Sequence, residues 1–206
     1  MNLGRLSQLL QLDARAWRAP FALAAVLAAL QWLDHALPGA LPYDRAAILA
    51  DGQYARLLTG HLVHHDLAHL GWNLAGLALV AWLFAREFTL GGWVVILVAS
   101  TVAVDLGFLV LEPQLAWYVG FSGVLHGLMA AGLCAWLLRA PDAITALVAV
   151  LFACKLGWEH LMGPLPFTAS TLGLPVIHAA HTYGAIGGAA AGIGLLWRGR
   201  AVTTPL

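Results

Sequence analysis

Charge is what this chain has least of. Only 10% of its 206 residues are Asp, Glu, Lys or Arg, while 61% are hydrophobic; soluble domains carry roughly a quarter charged residues. So little charge cannot cover a soluble globule with polar surface, and the composition is that of a polytopic membrane protein. The formal net charge is zero, so there is no basic excess to attract a nucleic-acid partner. Cysteine is scarce too: Cys134 and Cys154 both lie in apolar runs, where a free thiol behaves as a small hydrophobe and says little about redox compartment. No Ala-x-Ala-like cleavage site follows the first apolar run, which Trp32-Leu33-Asp34-His35 interrupts late. That run therefore reads as a retained first helix, not a secretory signal.

Long apolar runs are what the chain does have. Several approach the ~20 residues that a helix needs to cross ~30 Å of hydrocarbon. The pattern predicts an all-α membrane protein with six spans, at about 20 to 37, 67 to 85, 90 to 111, 122 to 138, 143 to 162 and 176 to 197. Arg86-Glu87, Glu112-Pro113, Arg139-Ala140-Pro141-Asp142 and Gly163-Pro164-Leu165-Pro166 supply the breaks. Residues 38 to 66 are too polar to cross and read as a long interfacial loop. Three parts result: an amphipathic lead-in at 1 to 19 with Arg5, Asp13, Arg15 and Arg18, one bundle at 20 to 197, and a short tail at 198 to 206.

Six spans put both termini on one side. With that side cytoplasmic, Arg5, Arg15, Arg18, Arg86, Arg139, Arg198 and Arg200 lie inside and only Arg45 and Arg56 outside, as the positive-inside rule requires. Spans two, four and six then all begin in the outer leaflet. Their outer ends carry His69 and Asn73, Ser122, and His178 with His181, so topology alone gathers these polar groups.

A serine hydroxyl is a weak nucleophile until a base takes its proton, and histidine is the usual base. Ser122 stands in Gly120-Phe121-Ser122-Gly123-Val124-Leu125-His126-Gly127 where a loop turns into an apolar helix. The bland alternative is a small residue capping or packing a helix start. Ser100, mid-span and without a flanking glycine, is the control and should be inert. His181 lies about one and a half turns into span six, and an ionisable group at that depth is a functional candidate. Gly184, Gly188 and Gly192 follow it at four-residue spacing, matching Gly123, Gly127 and Ala131 of span four. Two such faces can pack backbone to backbone and bring Ser122 to His181. A serine–histidine dyad is the implied machinery, with no acid placed to complete a triad. His69 and Asn73, four apart on one helix face, can serve as oxyanion donors beside the Ser122 backbone N–H.

The nine histidines also allow a haem- or metal-binding bundle, with His61, His65 and His69 as ligands if that stretch is one helix. No His-Glu-x-x-His arrangement supplies a base for metal-assisted hydrolysis. His126, one turn below Ser122, is expected to pack on the His181 ring. Asp105, Lys155 and Glu159 are intramembrane charges worth ~2.5 to 3.5 kcal/mol each if unpaired, so they should face protein. Lys155 and Glu159 are one turn apart, as a structural ion pair or a substrate contact.

His69-Leu70-Gly71-Trp72-Asn73, Gly120-Phe121-Ser122-Gly123 and Ala180-His181-Thr182-Tyr183-Gly184, in this order on like-oriented spans, resemble the rhomboid intramembrane serine proteases. The resemblance implies a six-helix rhomboid bundle with Ser122 as nucleophile, His181 as base and His69 and Asn73 as oxyanion donors. Gly120, Gly123, His126 and Gly184 would be supporting residues, with no metal and no cofactor. Leu58-Thr59-Gly60-His61-Leu62-Val63-His64, the extended serine motif and Lys155 with Glu159 look like the rhombosortase branch. That branch is held to process bacterial proteins bearing a C-terminal tag of Gly-Gly, a hydrophobic helix and a basic end. The implied location is the bacterial inner membrane with the site opening toward the periplasm, and the implied partners are membrane lipid and a tagged client. His126 departs from common rhomboids, where an aromatic ring packs on the catalytic histidine. A catalytically inactive, client-binding rhomboid relative is the remaining alternative.

Overall fold

Aspartate and threonine side chains set where several of the helices begin. In a computed structural model, which describes residues 14–165 and 176–202, Asp44, Asp66, Thr89 and Asp142 each accept a hydrogen bond from the backbone N–H three residues on, at 2.6 to 3.2 Å. Each satisfies a donor that the first helical turn would otherwise leave open. The helices are α1 (Arg18–Ala36), α2 (Arg45–Leu49), α3 (Arg56–Thr59), α4 (Leu67–Phe84), α5 (Leu90–Val110), α6 (Ser122–Arg139), α7 (Ala143–Met162) and α8 (Ala179–Val202). A two-residue strand, β1 (Tyr43–Asp44), pairs antiparallel with β2 (Trp117–Tyr118), Tyr43 opposite Tyr118 and Asp44 opposite Trp117.

Among the described residues five helices, α1, α4, α5, α6 and α7, are long and apolar enough to cross a membrane. Most of the amphipathic lead-in, the stretch 166–175 and residues 203–206 lie outside the described residues. The segment expected to be a loop between the first two spans is more ordered than that: it holds α2, α3 and β1. Its order comes from polar ties. The Arg45 guanidinium donates to the carbonyls of Phe108 and Leu109 at 2.9 and 3.1 Å, closing the open C-terminal end of α5. Arg56 donates to the carbonyls of Gly39 and Pro42 at 2.9 and 2.8 Å.

The core is built on α6, which buries eleven of its 18 residues. Leu27 of α1, Leu77 and Phe84 of α4 and Ile96 of α5 converge on Val124, Leu128 and Trp136 of α6. On its other side α6 meets α8 through matched glycines. A methyl group on Gly184 would collide with the Gly123 carbonyl, one on Gly188 with the Gly127 carbonyl, and one on Gly192 would stand 2.9 Å from the Ala131 side chain. This is the close approach anticipated from the four-residue spacing. By contrast α7 buries only Thr145 and Glu159 of its 20 residues.

Candidate active site

The serine sits at the end of a loop held on three sides. The Gly120 N–H donates to the Gly60 carbonyl at 3.0 Å, and the Tyr118 hydroxyl donates to the Gly120 carbonyl at 2.6 Å. Burial pushes the Tyr118 phenol up from its usual range, so it stays protonated and a donor. The third hold is the His69 ring, which lies so close to Gly120 that a Cβ there would stand 2.7 Å from its Cε1. Gly120 also has φ +126, a conformation that side-chain-bearing residues rarely adopt. Two independent reasons therefore require glycine at this position. Ser122 follows as the first residue of α6, where backbone N–H groups lack intrahelical acceptors and the helix dipole favours negative charge.

Across the glycine seam, His181 Nε2 lies 3.0 Å from Ser122 Oγ. His181 is the third residue of α8, in its first turn, because a turn at His178 precedes the helix and α8 starts at Ala179, not 176; the depth of one and a half turns read from sequence is corrected accordingly. The His126 ring stacks on His181 with centroids 4.0 Å apart and planes 16° apart. Its far side faces Phe152 at 5.8 Å, and its Nδ1–H donates to the Ser122 carbonyl at 2.7 Å. The His126 ring thus packs on His181 and also ties down the serine backbone.

Sequence reasoning placed no acid near this pair, and that is corrected. Glu159 Oε2 accepts from His181 Nδ1 at 2.9 Å and from Lys155 Nζ at 2.6 Å. The expected Lys155–Glu159 pair forms, but the same carboxylate oxygen also reaches the histidine. A signal existed: consecutive spans run in opposite directions, so the last turns of span five share a level with the first turn of span six. Reading the Lys155–Glu159 spacing as self-sufficient obscured it.

His69 and Asn73 line one wall of a cavity of about 600 Å³ that also receives Ser122 and His181. Asn73 Nδ2 donates to the His69 carbonyl at 3.0 Å, which leaves its second hydrogen to offer. The rest of the cavity is mainly apolar, bounded by Trp72 and Leu79 of α4, Met129 of α6 and Phe152 of α7. Gly123 and Gly184 stand at the α6–α8 crossing. Ser100 lies apart, its Oγ donating to the Ile96 carbonyl of its own helix at 2.7 Å.

The metal set read from sequence does not assemble. His61, His65 and His69 are not on one helix, because Asp66 caps α4 and breaks the run; His61 instead pairs with Asp105 at 3.1 Å. Among the described residues, one donor atom each from His126, Glu159 and His181 lie within 4.8 Å of one another. Both His181 nitrogens and the Glu159 oxygen are already engaged, with the Lys155 ammonium beside them. The chemistry of that cluster fits a hydrogen-bonded relay better than an ion.

A hydroxyl and an imidazole thus stand at hydrogen-bond distance among membrane-length helices. The model of the Rhomboid domain matches residues 51–198, most of the chain. The protein belongs to the rhomboid family, whose members are intramembrane serine proteases. Comparison with curated proteins gives no match.

Proposed function

We propose that the protein is an intramembrane serine endopeptidase with six spans, in which Ser122 is the nucleophile and His181 the general base. The observation that carries this is the 3.0 Å Ser122–His181 contact at the polar end of an otherwise apolar cavity. Substrate binds with its scissile carbonyl carbon against Ser122 Oγ. As the Oγ–C bond forms, the Oγ proton passes to His181 Nε2, and the oxyanion takes hydrogen bonds from the Ser122 N–H, the Asn73 amide and His69. The C–N bond then breaks and the Nε2 proton goes to the leaving amine. Water then attacks the acyl carbon, giving up a proton to Nε2; the C–Oγ bond breaks and Ser122 Oγ takes that proton back as the carboxylic acid product leaves.

In this reading residues 20–197 are the protease domain, flanked by the lead-in 1–19 and the tail 198–206. Both termini are cytoplasmic and the site opens toward the periplasm of a bacterial inner membrane. The support is the arginine distribution, with Arg45 and Arg56 at the end of the bundle where Ser122 lies. The substrate is a rhombosortase-type C-terminal tag, a Gly-Gly followed by a hydrophobic helix and a basic end. Flexible glycines let such a helix unwind and present a peptide carbonyl, and the apolar walls suit the hydrophobic segment.

Purified protein incubated with a tagged client is the test. Wild type should cleave and accept a fluorophosphonate label, while Ser122→Ala and His181→Ala should do neither; cleavage by Ser122→Ala would overturn the assignment. Asn73→Ala should lower kcat with KM nearly unchanged, because the oxyanion exists only beyond the ground state. Loss in KM alone would remove Asn73 from that role.

A further inference from the structure

A serine–histidine pair needs no carboxylate, yet one is built into this site. Glu159 is only 2% exposed, and burying a carboxylate is expensive unless partners compensate for the lost water. Pairing with Lys155 would not by itself require this position. The lysine side chain is 29% exposed, so an ion pair serving only itself could sit further toward the cavity and away from the histidine. Instead Oε2 is shared between Lys155 Nζ and His181 Nδ1. Lys155 Nζ also lies 3.4 Å from His181 Nδ1. An ammonium has only protons to offer, so with Nδ1 also protonated the two are joined through the carboxylate they share.

We infer that Glu159 is a positioning residue that acts through His181, making a Glu159–His181–Ser122 relay held in register by Lys155. The inference rests on the proposed roles of Ser122 and His181. A proton on Nδ1, held by the carboxylate, leaves the Nε2 lone pair facing Ser122 Oγ, the tautomer that a base requires. When Nε2 takes the Oγ proton, the imidazolium forms 2.9 Å from an anion, so the contact strengthens toward the transition state. Nδ1 keeps its own proton throughout and Glu159 is never protonated; the proton gained at Nε2 leaves with the amine.

The acid arrives from an unexpected element. Apart from Glu159, the one buried residue of α7 is Thr145, at the other end of the helix. At the Ser122 end, α7 meets the bundle through Glu159 and through Phe152, which faces the His126 ring. The relay is complete only when α7 stands against α8.

The experiment is steady-state cleavage of a tagged client by the full-length protein in detergent, with thermal unfolding of each variant alongside. Glu159→Gln keeps the shape and removes the charge. It should lower kcat by about 10²- to 10⁴-fold, as expected when the base loses its orienting anion, with KM changed less than about threefold and the unfolding temperature little moved. Glu159→Asp should recover part of the loss. In protein carrying ¹⁵N-labelled histidine, the strongly downfield Nδ1–H signal should disappear in Glu159→Gln. The decisive variant is Lys155→Met combined with Glu159→Gln. If Glu159 serves only to neutralise Lys155, removing both charges restores the rate; if it acts through His181, the double variant stays as slow as Glu159→Gln. The double variant also leaves no unpaired cation, so it remains informative should the single one not fold. Wild-type kcat in Glu159→Gln, or restoration in the double variant, overturns the relay. Failure of wild type to cleave, or cleavage by Ser122→Ala, instead overturns the parent reading.

Discussion

Two sides of the central helix are built on opposite rules. Where α6 meets α8, glycine faces carbonyl and the backbones touch; nothing there can shift without collision. Where α7 borders the same site, two of 20 residues are buried, and Leu147, Val150 and Leu151 are exposed on its surface. Ser122 and His181 stand on the rigid side. Glu159 stands on the loose one. In the proposed mechanism position matters most for the two atoms that exchange a proton, since a near-attack geometry tolerates little error, whereas an orienting acid can arrive on an element that also forms a cavity wall.

The largest expected effect tests the seam. Gly188→Leu should abolish accumulation of folded protein, a loss exceeding about 4 kcal/mol, whereas Gly194→Leu on the same helix, with open space around its Cβ, should be nearly neutral. Yield of monodisperse protein and thermal unfolding in detergent distinguish the two; a tolerated Gly188→Leu would break the comparison. Next, Leu128→Ala on the packed face of α6 should cost about 2 to 5 kcal/mol, the range for buried leucines.

A third region sharpens the contrast by its pH dependence. His64, in the segment before α4, is 2% exposed, and neither ring nitrogen has a hydrogen-bond partner among the described residues. Its backbone is pinned by both ends of the Gln31 amide, at 2.6 and 2.9 Å. Burial, with the neighbouring His69 adding to it, lowers its pKa from 6.5 to about 3. The unfolded chain therefore binds a proton that the folded one refuses between those values. Stability present above pH 6.5 should fall as the pH drops toward 3, by at most about 1.4 kcal/mol per pH unit from this residue. His64→Phe should flatten the slope, and an unchanged slope would place the proton elsewhere. The smallest effect is expected on α7: Leu151→Ala, at 60% exposure, should change stability by no more than about 0.5 kcal/mol. A cost like that of Leu128 would mean α7 is packed as firmly as α6.

Much of this is legible in the sequence. The length of the apolar runs and the breaks between them located α4 to α7 within a few residues. The four-residue glycine spacing predicted the α6–α8 seam, because a small residue every turn leaves one face flat whatever it packs against. The alternation of span direction brought Ser122 and His181 to one level. What escaped was whatever depended on non-local approach. The pairing of Asp105 with His61, the Tyr118 hydroxyl on the Gly120 carbonyl, and the ring of His69 over Gly120 join segments with no shared period. The run His61, His65, His69 shows the converse, a helical spacing in sequence that Asp66 interrupts by capping α4.

By itself, then, the sequence determined that the chain lives in a membrane, where its helices run, which serine and histidine can meet, and which faces can pack without side chains between them. These follow from composition and from short-range period, both written residue by residue. The tertiary structure alone decided that the Lys155–Glu159 pair is not closed on itself. An i, i+4 ion pair looks the same in sequence whether its carboxylate ends at the lysine or continues to another helix. Only the placement of α7 against α8 puts that oxygen 2.9 Å from His181.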